Sequence, residues 1–135
     1  MTTGTPSVFI QIWVDTNALQ NGSTRGVYVV DNRVSNGSSN EGTPNLQTSA
    51  TNGSFVNWQV FNIDPTATGA KSIQSISNSN AWGPGGQPQP DPTYGGFTGQ
   101  LQNNGVAPYS VTFNAQKQQG SAGITTTVNL TMAVH

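Results

Sequence analysis

From Ile124 to Val134 the chain alternates with a period of two. Ile124, Thr126, Val128, Leu130, Met132 and Val134 share one parity; Thr125, Thr127, Asn129, Thr131 and Ala133 share the other. Successive side chains of a strand point to opposite faces, so this pattern fits a strand with one buried and one wet face. It does not fit the 3.6-residue period of an amphipathic helix. The alternation recurs along the chain. Val8, Ile10, Ile12 and Val14 form one set, and Phe9 and Trp13 make the opposite face partly apolar, as in a strand covered on both sides. Residues 26–34 predict a second strand with Tyr28, Val30 and Val34 on one face, and residues 46–50 a short third. Residues 54–62 predict a strand with Val56, Trp58 and Val60 facing one way and Phe55 and Phe61 the other. Residues 72–77 fit less well, because Ile73 and Ile76 differ in parity, whereas Tyr109, Val111, Phe113 and Ala115 alternate cleanly. No window carries helical spacing; residues 16–20 have room for one short turn.

Asn-Gly-Ser triplets begin at Asn21, Asn36 and Asn52, and Asn-Gly supplies the positive φ of tight turns, so they read as hairpin punctuation. Short strands at this spacing predict a single all-β domain over residues 1–135. The expected architecture is an antiparallel β-sandwich, Ig-like or jelly-roll-like, with little or no helix. Its expected core is Ile12, Val14, Val30, Val56, Trp58, Val111, Phe113, Val128 and Leu130. One segment breaks the pattern. Residues 82–97 hold Pro84, Pro88, Pro90 and Pro92 among glycines, flanked by Trp82, Tyr94 and Phe97. Proline forbids a regular ladder there, and long loops in compact domains are often functional.

Ionisable chemistry is scarce. Only 7% of the 135 residues are charged, there is no Cys, and the one His is His135. Most mechanisms need a nucleophile with a base, a carboxylate pair or a metal cluster, so the composition argues for a non-enzymatic protein without a cofactor. The acids Asp15, Asp31, Glu41, Asp64 and Asp91 are isolated in sequence, and Asp64-Pro65 and Asp91-Pro92 are turn-initiating pairs. Calcium asks for six to eight oxygens. Asp15 with Asn17 and Asp31 with Asn32 are the candidate ligands, and turn capping by the same side chains is the competing and favoured role. The net charge of -1 with no basic patch excludes nucleic-acid binding by phosphate neutralisation. It also weakens the repulsion that keeps copies apart. No apolar run is long enough to span a membrane, and residues 1–6 lack the features of a secretory signal. A cytoplasmic location is therefore expected, with non-classical export as the other route.

The loop carries the candidate binding or interface residues: Trp82, Gln87, Gln89, Asp91, Tyr94 and Phe97. An aromatic plate among amides and a carboxylate suits a sugar, which has an apolar ring face and many hydroxyls. The competing reading is a cover over a sandwich edge, where prolines block strand addition.

The order of elements resembles the bacterial PixA/AidA inclusion-body protein family. The residues concerned are Val8-Phe9-Ile10-Gln11-Ile12-Trp13-Val14-Asp15, Val27-Tyr28-Val29-Val30-Asp31-Asn32, Gly53-Ser54-Phe55-Val56-Asn57-Trp58, Gly105 and Tyr109-Ser110-Val111-Thr112-Phe113. The chain departs from that family in its Pro/Gly loop after Trp82 and in lacking an acidic-aromatic ending. The resemblance implies a β-sandwich that accumulates or self-associates, as a homo-oligomer or ordered assembly, with no catalytic residues to carry over. The alternatives are a lectin-like carbohydrate-binding module and a secreted toxin or host-interaction factor.

Overall fold

The computed structural model of the chain describes residues 4–20, 22–118, 120 and 122–135. In chain order the strands are β1 (Val8–Val14), β2 (Val27–Asp31), β3 (Gln47–Ala50), β4 (Phe55–Asn62), β5 (Lys71–Ile76), β6 (Gln89–Pro90), β7 (Phe97–Gln100), β8 (Gly105–Gln116) and β9 (Gly123–Val134). Two 3-10 turns, Val34–Asn36 and Pro84–Gly86, are the only helical elements among the described residues. Among the described residues, no helix is long and apolar enough to cross a membrane.

The all-β reading is borne out. The strands form two sheets, ordered β2-β1-β4-β7-β6 and β3-β9-β8-β5. The expectation of antiparallel sheets is corrected: both are mixed, with β1 parallel to β4 and β3 parallel to β9. The chain visits the opposite sheet between the members of each parallel pair, so no hairpin joins them. The longest ladder is β8 with β9, from Gly105 opposite Val134 to Gln116 opposite Gly123.

One cluster fills the space between the sheets. Val8, Ile10, Ile12 and Val14 of β1 and Val56, Trp58 and Val60 of β4 meet Tyr109, Val111, Phe113 and Ala115 of β8 and Val128, Leu130, Met132 and Val134 of β9. Of the expected core, Val30 is the exception: it is half-buried on the outer face, and Val34 is 61% exposed in the 3-10 turn. Register explains the correction. Val29 lies opposite Ile12 and Val27 opposite Val14, so these two valines turn inward and Tyr28 and Val30 outward. Both parities of residues 27–30 are apolar, and periodicity alone chose the wrong one.

The parity conflict in β5 resolves differently. The register with β8 shifts between Ile73 and Ser75. A bulge inserts one extra residue, so Ile73 and Ile76 both point inward. The Asn-Gly triplets also differ from expectation. Asn21 lies outside the described residues. The second triplet ends a 3-10 turn with Gly37 at φ 104, and the third, with Gly53 at φ 92, carries the chain from one sheet to the other. Neither closes a hairpin.

Candidate functional site

The Pro/Gly loop is wired into the body of the protein. Trp82 has no exposed surface. Its ring packs edge-on against Trp58 of β4 at 5.5 Å and Tyr109 of β8 at 5.0 Å, so one loop side chain joins both sheets. The Trp58 indole N–H donates to the Tyr109 hydroxyl at 3.1 Å. Burial pushes the Tyr109 phenol well above its ordinary pKa, so it stays neutral. The Trp82 indole N–H donates to Gln87 Oε1 at 3.1 Å, and Gln87 Nε2 donates onward to the Ile76 carbonyl at 2.9 Å. Trp82 is therefore no sugar plate, and Gln87 caps the end of β5.

Asp91 is also internal. Its Oδ1 accepts the amides of Thr93 (2.8 Å) and Tyr94 (3.1 Å), and its Oδ2 accepts the Thr98 hydroxyl at 2.7 Å. Burial acts to raise its pKa, but these donors outweigh it and hold the carboxyl below the ordinary range. Asn57 Nδ2 then donates to Thr98 Oγ1 at 3.0 Å and the Gly95 carbonyl at 2.9 Å, and Gln59 Nε2 donates to the Tyr94 carbonyl at 2.9 Å. Asn57, Gln59 and Thr98 were not legible as partners, because only tertiary register brings them under the loop. Of the loop candidates, Gln89 and Tyr94 are exposed, Tyr94 at 43%, and Phe97 is half-buried at the start of β7.

The calcium candidates are apart. Asp15 follows the end of β1 that pairs with Val27, whereas Asp31 sits at the other end of that ladder, opposite Ile10. Asp15 Oδ1 accepts the Asn17 amide at 3.0 Å. Asn32 Oδ1 accepts the Phe9 amide and its Nδ2 donates to the Ser7 carbonyl. Among the described residues, no group of three or more acids and histidines comes together. Asp31 pairs instead with Glu41, which sequence spacing did not suggest. Glu41 Oε1 accepts the Asp31 amide at 2.9 Å. Asp31 Oδ2 and Glu41 Oε2 are buried without another donor. Burial first, and then the neighbouring Asp31 carboxyl, push Glu41 up to about 7.

These contacts belong to a larger pattern, the treatment of sheet edges. The edge strands are β2 and β6 in one sheet and β3 and β5 in the other. Residues 38–43 close the β2/β3 side. The Gly42 amide donates to Val29 O at 2.7 Å, Ser39 exchanges backbone bonds with Gln47, and Ser38 Oγ accepts the Ser49 amide. On the other side, Pro88, Pro90 and Pro92 strip donors from the β6 edge. Gln87 caps only the last residue of β5. The rest of β5 pairs with β8 alone. β7 starts at Phe97, opposite Trp58, so residues 59–62 of β4 have no strand neighbour there either. The chain turns away at Gly96, where φ is +62 and a Cβ would lie 1.9 Å from the Trp58 carbonyl. Between the two bare edges lies a cleft of about 380 Å³ lined by Gln59, Phe61, Lys71, Ile73 and Phe97.

A second exposed feature lies on the outer face of the first sheet. Tyr28, Trp13 and Phe61 form a row across β2, β1 and β4. Trp13 stacks on Phe61 at 5.0 Å and 24°. Its indole N–H donates to Gln11 Oε1, and Tyr28 is 45% exposed. The apolar second parity of β1 predicted a strand covered on both sides; the structure instead leaves this face half-buried, with Trp13 and Phe61 packed on one another.

No curated protein matches the chain in sequence. Its fold is similar to that of a solved structure, the inclusion body protein PixA from Burkholderia cenocepacia J2315. The TM-score is 0.69 over 100% of this chain and 98% of that one, at 15% identity. At that identity the likeness is one of fold, and at that level the resemblance to PixA read from the sequence is borne out. The family model described as "Domain of unknown function (DUF8788)" matches residues 6–121, from the residues before β1 through β8, and the chain belongs to that family.

Proposed function

We propose that the protein is non-enzymatic and acts by associating with copies of itself, as an inclusion-body-type protein of the cytoplasm. The observation that carries this reading is the fold it shares, end to end, with the PixA inclusion body protein. The chemistry agrees. Asp31 and Glu41 share an edge seal, and Asp15, Asp64 and Asp91 each cap a turn. The net charge of -1 gives copies little mutual repulsion. The test is mass in solution by sedimentation and light scattering over a wide concentration range at several salt levels. Mass should grow with concentration. A monomer throughout overturns the reading.

One observation favours a second reading, binding of a neutral glycan. The row Tyr28–Trp13–Phe61 offers flat aromatic surface beside the Gln11 and Gln59 amides, which face each other in register. Pyranose rings stack on such surfaces through their apolar face and hydrogen-bond at their hydroxyls. A glycan array should then give hits that Trp13→Ala abolishes while fold and mass stay intact. An array without hits rejects it.

A further inference from the structure

We propose that two copies join along the open edge of β5, strand to strand and antiparallel about a two-fold axis. This rests on the self-association reading and names the surface that would carry it. Of the edge strands, β2 and β3 are occupied by residues 38–43, and β6 is stripped of donors by its prolines. Among the described residues, β5 is the edge strand that keeps a run of backbone, Lys71 to Ser75, with no strand pairing beyond β8. A bare strand edge is a row of unpaired donors and acceptors, and the occupant it fits is another extended backbone.

The composition of the strand selects a second copy as that occupant. Lys71–Ile76 carries a single charge, on its first residue, and Ser72, Gln74 and Ser75 are exposed and uncharged. Antiparallel pairing about a two-fold sets the two lysines at opposite ends of the joint. Parallel pairing would set them side by side, where like charges repel. A second copy also presents its edge already ordered, whereas a free peptide must lose conformational entropy to become a strand. The bulge after Ile73 and the charge of Lys71 keep the pairing short and fix its direction. A two-fold contact of this kind is closed, so its product is a dimer whose four-stranded sheets run on into one another.

The experiment compares the wild type with Ser72→Lys/Gln74→Lys and with a control, Ser35→Lys/Asn45→Lys, which adds the same charge on the closed side. All four positions are exposed, and thermal melts check that each variant is folded. Dimerisation is read by sedimentation equilibrium. The β5 variant should weaken the dimer at least tenfold, and the control should leave it unchanged. Amide hydrogen exchange on the wild type supplies a readout that needs no variant: residues 71–75 should exchange more slowly at high protein concentration than at low. If the wild type dimerises but the β5 variant dimerises equally and exchange at 71–75 does not change, the β5 joint is wrong and self-association stands. If the wild type is monomeric at every concentration, the self-association reading fails, and the joint with it.

Discussion

The two lateral sides of the sandwich solve the same problem in opposite ways. On the β2/β3 side, residues 38–43 fold back and hydrogen-bond to both edge strands, so each sheet ends in an ordered, occupied border. On the β5/β6 side the work is divided. Prolines disable β6, Gln87 caps the last residue of β5, and below that point β4 and β5 are left bare around a cleft. A protein that needed only to stay dispersed would gain by closing both sides, because exposed edges are templates for pairing. The difference shows that edge protection here is local and chemical, and that it is withheld along one short stretch.

The largest expected effect comes from removing the anchor of the partly protected side. Trp82 is fully buried and touches the aromatic rings of both sheets. Trp82→Ala should cost about 3–5 kcal/mol, a fall of roughly 10–20 °C in Tm. It should also free Gln87 from its indole partner and lengthen the open stretch of β5. Trp13→Ala removes an equal side chain from the half-buried outer face and should cost less than half as much. Equal losses in the two melts would show that the loop does not join the sheets.

Next is the loop's polar fastening. Asp91 accepts two amides and a hydroxyl, and its carboxyl is held below the ordinary range. A depressed folded pKa gives stability that is present above the unfolded pKa and is lost as pH falls through the folded one. Asp91→Ala should cost about 2–3 kcal/mol at neutral pH, since charge-assisted bonds are lost and the Thr98 hydroxyl and two amides are stranded. Asp91→Asn should flatten the acid limb of the stability profile. Denaturant titrations at a series of pH values separate these outcomes, and an unchanged acid limb in Asp91→Asn would remove Asp91 as its cause.

Much of this was legible in the sequence, and what escaped has physical reasons. Alternation located β1, β4, β8 and β9, because each has one strongly apolar parity. It failed at β2, where Val27, Tyr28, Val29 and Val30 are apolar on both parities and only the register with β1 decides. It stumbled at β5, where a bulge breaks the period. The parallel pairs were not legible, because nothing local says which strand comes back beside β1. At the loop, the proline reading as an edge cover matches what β6 does. Trp82 misled: a tryptophan among Gly and Pro reads as a displayed ring, yet it is fully buried against the aromatic rings of both sheets. Glu41 escaped because its chemistry comes from Asp31, ten residues away and brought near only by the return of residues 38–43 to β2.

The smallest effect tests the closed side and gives it a pH limit. Glu41 seals the β2 edge by accepting the Asp31 amide, and its carboxyl is raised from 4.5 to about 7 beside the Asp31 carboxyl. A carboxyl whose folded pKa lies above its unfolded one contributes stability that is full below the unfolded value and declines as pH rises through the folded one. The wild type should therefore lose stability between about pH 4.5 and 7 as the Glu41 proton leaves and its carboxylate is left partly buried beside Asp31. Both residues are only half-buried, so solvent screening reduces the loss to about 1 kcal/mol. Glu41→Gln keeps an oxygen for the Asp31 amide and offers an N–H to the Asp31 carboxylate. It should be more stable than the wild type at pH 8, match it near pH 5, and show no slope between. Urea melts of both proteins at pH 5, 6, 7 and 8 measure this directly. Parallel profiles would mean that the β2 edge is held by the Gly42–Val29 backbone bond without help from the carboxyl pair. The closed side would then owe its closure to main chain alone, and the contrast with β5 would be one of backbone coverage only.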